Sequence, residues 1–143
     1  MKRIPTDLEI LTAIYERYYK VFSSYSENAA DRSTKAYVPV DLEKIAKELD
    51  SDPYIIFGRL YNYLDRKYGY KNDDGSKVPL FILRLKDDVN CVHFPLMTSV
   101  LADLQLESNK FQRATIFSTI SAIVSIISLL ISLIALVINL NKK

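Results

Sequence analysis

The residues of this chain that carry reactive side chains are few and do not gather. There is one histidine, His93, and one cysteine, Cys91. A Ser/His/Asp or Cys/His arrangement would have to be built on His93, which falls in a segment that alternates like a strand. A lone histidine in such a strand is ordinarily a packed residue. One His and one Cys give no His pair and no His/Cys cluster of the kind that holds zinc. They also give no internal disulfide, which fits a reducing compartment. The acidic pairs Asp73-Asp74 and Asp87-Asp88 sit in turn-forming stretches, where Asp is favoured for backbone reasons. The only glycines are Gly58, Gly69 and Gly75, too few and too dispersed for a phosphate-cradling loop. The expectation is a protein that is not an enzyme, with no catalytic residue, no cofactor and no metal.

What remains is recognition chemistry. Arg59, Asn62 and Arg66 recur at helical spacing, and Lys77 follows in the next loop. Arginine pairs bidentately with guanine and asparagine with adenine, so this face suits nucleic acid. Asp65 lies among them, and a solvated helix face reads the same way. Charge weighs toward a protein partner: residues 1–96 carry 15 Lys and Arg against 15 Asp and Glu, whereas DNA affinity rests mostly on a basic excess. The chain has ten tyrosines and no tryptophan. Most suit core and rim packing, but Tyr54 and Tyr61 are candidates for a partner surface, where Tyr is enriched.

A second constellation lies near the end. Ala114 to Asn141 contains no charged residue and is dominated by Ile, Leu, Val, Ala and Ser. A bilayer core about 30 Å thick needs roughly 20 apolar residues as a helix. Residues 114–140 reach on the order of 40 Å at about 1.5 Å per residue, enough to span with tilt. A soluble helix of that length would show a charged face. Its polar residues form one stripe: Ala114, Ser118, Ser121, Ser125, Ser128, Ser132, Ala135 and Asn139 follow at steps of three and four. In lipid, helices associate by close approach at small residues and by interhelical hydrogen bonds, so the stripe predicts a homo-oligomer. The same register runs back through Phe111, Glu107, Leu104 and Val100 to Met97, which suggests a parallel seam. The alternative is a plain anchor whose hydroxyls bond to their own helix.

The elements that would position these groups read as follows. Thr6-Asp7-Leu8-Glu9 is a capping box opening a helix over residues 7–24, with Leu8, Leu11, Ile14, Tyr15, Tyr18 and Phe22 at helical spacing. Ser26–Ala36 is a polar loop. Tyr37–Val40 is extended. Asp41 caps a short helix with Leu42, Ile45, Ala46 and Leu49 inward. Asp52 and Pro53 open a third helix over residues 53–68, with Ile56, Leu60, Tyr63 and Leu64 inward, ended by Gly69. A turn at residues 72–76 leads to a strand over residues 80–85, with Phe81, Leu83 and Leu85 on one face. Residues 86–90 turn the chain into a return strand over residues 91–94, and Pro95 stops it. Residues 96–113 form an amphipathic juxtamembrane helix through Met97, Val100, Leu101 and Leu104. Three regions are expected: a soluble domain over residues 1–95, the juxtamembrane helix over residues 96–113 and the transmembrane helix over residues 114–140.

The stretch VPVDLEKIAKELDSDPYIIFGRLYNYLDRKYGY followed by a hairpin resembles the winged helix-turn-helix superfamily over about residues 5–95. The resemblance implies a mainly α fold with a small β-hairpin, the hairpin serving as a wing and residues 53–68 as the helix that enters the DNA major groove. Tyr54, Arg59, Asn62, Arg66 and Lys77 would then be the nucleic-acid or partner face. The helix ends late, at Tyr68-Gly69-Tyr70, and the stretch before the wing is long for the family.

The flanks, Lys110 and Arg113 before the span and Lys142 and Lys143 after it, are nearly balanced. The expectation of a tail-anchored, single-pass membrane protein with a cytoplasmic N-terminal domain comes from the position of the span and from the lack of an uninterrupted apolar core in residues 1–25. Two functions fit. In one, the domain binds a protein or DNA and the span makes it a membrane-bound regulator or sensor. In the other, the striped helices line a watery path, gated by the domain. That architecture resembles small membrane-damaging effectors of bacterial anti-phage defence.

Overall fold

The computed structural model describes residues 3–26 and 32–140, with side chains as far as Ile134. The chain is mostly helical with a small antiparallel sheet. It divides into two compact units, residues 1–104 and 105–143.

In the first unit, α1 (Asp7–Ser23) begins as its capping box dictates: Thr6 accepts from the Glu9 amide, and the Glu9 carboxylate accepts from the Thr6 amide at 2.9 Å. Strand β1 (Tyr37–Pro39) leads to α2 (Leu42–Glu48), capped by Asp41 on the Lys44 amide at 3.1 Å. Asp52 caps the next helix on the Tyr54 amide at 2.8 Å, with Pro53 in the first turn. That helix runs as α3 (Pro53–Gly58), a π segment (Arg59–Leu64) and α4 (Asp65–Tyr68). Strands β2 (Tyr70–Lys71) and β3 (Lys77–Val78) flank the expected turn as a second, minimal hairpin. There Gly75 takes φ 82, and Asp74 accepts from the Ser76 amide at 2.8 Å.

Strands β4 (Phe81–Leu85) and β5 (Asp88–His93) form the main hairpin, and β1 pairs with β5, giving the order β1-β5-β4, antiparallel throughout. The connection is only Lys86-Asp87, because Asp88, Val89 and Asn90 join the return strand. Lys86 and Asn90 absorb the bend at φ 55 and 53. Pro95 does not end an element. It lies in the first turn of α5 (Phe94–Leu140), where a missing N–H costs nothing.

The core is built where these elements meet. Ile10, Leu11 and Ile14 of α1 pack with Ile45, Ile56, Leu60, Leu64, Phe81 and Val92. The first turns of α5 belong to it: Phe94 stacks on Phe22 with ring centroids 4.7 Å apart, and Met97 and Val100 are buried. Packing therefore carries the first unit on to Leu104, past the boundary expected at residue 95. Met97 and Val100, to which the register of the serine stripe runs back, are buried in the domain's own core, and Leu104 packs partly against it. Leu83 differs from expectation as well. It is 44% exposed while its strand neighbour Phe81 is buried, because only the first residue of β4 reaches the core.

The loop expected at Ser26–Ala36 lies partly outside the described residues. Its end is pinned: buried Arg32 donates to the Val21 and Phe22 carbonyls at the end of α1, at 2.6 and 3.3 Å.

In the second unit, α5 carries an 18-residue window of mean hydropathy 2.4 with none of it buried, long and apolar enough to cross a membrane.

Candidate partner groove

Ile56, Leu60 and Leu64 are all fully buried, at steps of four. On a regular α-helix each such step overshoots a turn by about 40°. The wider π turn over Arg59–Leu64 undershoots instead, so the three stay in line on the core. It also carries the next residue inward: Asp65 is 8% exposed. Its carboxylate accepts from the Phe81 amide at 3.2 Å and lies 3.7 Å from the Lys77 ammonium. This ties the helix to β3 and β4.

Between that helix and β4 lies a groove of about 720 Å³. Asn62 and Arg66 line it from the helix, Lys77 from β3, and Ile82, Leu83 and Arg84 from β4. Tyr37 and Tyr61 close it. The Tyr37 hydroxyl donates to the Pro79 carbonyl at 3.1 Å, and burial pushes its pKa up to about 12.

The residues expected on one face are therefore divided. Asn62, Arg66 and Lys77 share the groove. Arg59 does not line it: its guanidinium pairs with Asp7 and lies 4.4 Å over the Tyr63 ring. Tyr54, 86% exposed, stands at a separate concavity of about 860 Å³ with Tyr18, Asp41, Asp52 and Phe57. Two charged residues of the groove, Arg84 and Asp65, were not among the candidate site residues. Arg84 sits at the strand position that shares a face with Ile82, a signal the alternation did contain. Asp65 reads on paper as one more surface charge, and nothing in a helical period announces a π turn that buries it.

Cys91 is buried, and burial holds its thiol up at about 11, in the protonated form. His93 caps a helix, its Nδ1 accepting from the Leu96 amide at 3.1 Å, with its ring edge-on to Tyr37. Burial lowers its pKa. Among the described residues no three His, Cys, Asp or Glu side chains gather as metal ligands.

In the second unit Ser118, Ser121, Ser125, Ser128 and Ser132 are exposed. The hydroxyls of Ser121, Ser125, Ser128 and Ser132 each donate at 2.9 Å to the carbonyl four residues earlier. Their protons are thus used within the helix, while the oxygen lone pairs and the small side-chain volume remain on the stripe. The side chains of Ala135 and Asn139 lie outside the described residues.

Comparison with protein-family models, with curated proteins and with solved structures returns no match.

Proposed function

We propose that the chain is a single-pass membrane protein whose N-terminal unit is a cytoplasmic, winged-helix partner-binding module and whose striped helix self-associates in the bilayer. The observation that carries this reading is the surface of α5. Every residue from Asn109 to Ile134 is exposed, and no charge interrupts the stretch after Arg113. So large an apolar surface calls for lipid or another helix. The winged-helix reading draws support from the order helix, strand, helix, helix, hairpin and from the strand order β1-β5-β4. The partner-binding reading draws on a groove bearing Asn62, Arg66, Lys77 and Arg84 on a domain without charge excess.

A gated pore is the second reading, favoured by the polar stripe. It is separated from the first by what the helix does when abundant: an anchor leaves the membrane potential intact, and a pore collapses it. The proposal is tested by expressing the full chain in bacteria and extracting the membranes with alkaline carbonate. The protein stays in the membrane fraction if the reading holds, and its release into the soluble fraction refutes it. A potential-sensitive dye in the same cells decides between anchor and pore.

A further inference from the structure

The two concavities of the first unit carry opposite charge. The one at Tyr54 is lined by Asp41, Glu43 and Asp52 against Lys44, a net charge of −2. The groove beside β4 is lined by Arg66, Lys77 and Arg84 against Asp65, a net charge of +2. The total charge of residues 1–96 balances and so hides this polarity. Neither end is neutralised from within: among the described residues the side chains of Glu43, Arg66 and Arg84 have no hydrogen bond or ion pair. The concavities also join. Tyr54 and Phe57 line the first and Tyr61 the second, and steps of three and four put all three on one helix face. Phe57 stacks on Tyr61 with ring centroids 5.4 Å apart, and Val89 of the first concavity pairs with Arg84 of the groove across the β4–β5 ladder. The middle of this strip is apolar and open, with Tyr61 41% and Val89 48% exposed. Acid lies where the third helix starts and base where it ends, on the order of 20 Å apart from Asp52 to Arg66 at about 1.5 Å per residue.

We infer, on the reading of the first unit as a partner-binding module, that its partner is a second copy of this chain, the two strips pairing about a two-fold axis near Tyr61. A two-fold rotation reverses the strip. Each acidic end then meets the other copy's basic end, and the tyrosines meet in the middle. Such a surface is its own complement. Nucleic acid fits it less well, because phosphates suit Arg66 and Arg84 but are repelled by the acidic end of the same strip. A purely acidic or purely basic segment satisfies one end and opposes the other. Tyrosine and arginine are the residues on which interfaces concentrate binding energy. Two copies held on one membrane by the proposed span meet at an effective concentration well above that in bulk, so a strip of modest area suffices.

The test uses full chains in detergent micelles and a short bismaleimide crosslinker. One preparation carries Tyr54→Cys, a second Arg66→Cys, and a third is their mixture. Both positions are exposed, and the native Cys91 is buried. The mixture crosslinks and neither variant crosslinks with itself, because two-fold pairing sets position 54 against position 66 and keeps like positions apart. Association through the span brings chains together equally in all three, so this selectivity reads the domain alone. Tyr61→Cys, near the axis, does crosslink with itself. Arg84→Glu added to the Arg66→Cys chain sets like charges against each other and lowers the yield of the mixture about fivefold or more. No crosslink in the mixture, equal crosslinking in all three preparations, or a yield unchanged by Arg84→Glu overturns the inference. A mixed crosslink without the Tyr61→Cys one overturns the two-fold pairing in favour of a head-to-tail contact. Binding of a labelled duplex oligonucleotide through Arg66 and Arg84, found in place of the crosslink, overturns it too while leaving the partner-binding reading standing. Membrane retention of the same protein is scored independently.

Discussion

Arg59 and Asp7 clasp each other across the first unit, the guanidinium Nε donating at 2.9 Å and Nη2 donating to the same carboxylate oxygen. The pair fastens the first turn of α1 to the middle of the long third helix, 52 residues away in sequence. Asp7 is only 13% exposed at its side chain, so the pair is more shielded than a surface ion pair.

Arg59→Ala is therefore expected to lower the stability of the domain by about 1.5–3 kcal/mol, the range for hydrogen bonds to a charged partner. It is expected to leave partner binding at the groove within a factor of about two. Chemical denaturation and crosslinking on the same preparation check both halves. A selective loss of binding with stability intact would return Arg59 to the partner surface.

His93 makes the domain sensitive to mild acid. Burial holds its folded pKa below the ordinary value of 6.5, so the unfolded chain takes up the proton first. The stability it contributes is complete above about pH 6.5 and is lost as pH falls from there through the folded pKa, because protonated Nδ1 no longer accepts from the Leu96 amide. The carboxyls held low by hydrogen bonds, Glu9 by Thr6 and Asp41 by Lys44, give way only in a more acidic range. Melting temperature should thus fall as the pH drops below about 6.5 in the native protein. His93→Asn keeps a capping side chain without the titration and should flatten that fall. His93→Ala should cost about 1 kcal/mol at neutral pH.

Gly69 ends the third helix for a reason other than the one its sequence suggests. Its φ of −61 is open to any residue. What excludes a side chain is proximity: a Cβ there would stand 2.6 Å from the Asp65 carbonyl oxygen and 3.5 Å from Pro79. Gly69→Ala should cost on the order of 1–3 kcal/mol through the backbone shift it forces. Gly75, at φ 82 with open space around it, should lose only about 1 kcal/mol on the same change. Parallel thermal melts compare the two, and equal losses would show that the helix end yields.

The serine stripe is tested within the bilayer. Ser121→Leu, Ser125→Leu and Ser128→Leu together should block the close approach on which the proposed self-association depends. Ile123→Ser, Ile127→Ser and Leu130→Ser on another face should not. Because the hydroxyl protons are spent on the helix's own carbonyls, a single Ser→Leu should reduce association only modestly, by less than about 1–2 kcal/mol. A transmembrane association assay in bacterial membranes reads all three. Wild-type association in the serine triple would reduce the helix to an anchor.

The helix starts were legible because a cap is local chemistry: Thr6 with Glu9, Asp41, and Asp52 before Pro53 each satisfy amides two or three residues away. The long apolar helix was legible because composition alone decides whether a segment can meet lipid. The groove was not, since it depends on distant encounters. Arg59 looked like a neighbour of Asn62 and Arg66 until Asp7 claimed it from 52 residues away. Asp65 looked exposed until a π turn, set by burying Ile56, Leu60 and Leu64 together, rotated it onto the Phe81 amide. Met97 and Val100 continued the serine stripe on paper, yet the core they complete had the stronger use for them. Spacing along the chain states which residues share a helix face. Which face is buried, and which charges remain to meet a partner, is decided only when elements far apart in sequence pack together and compete for the same side chains.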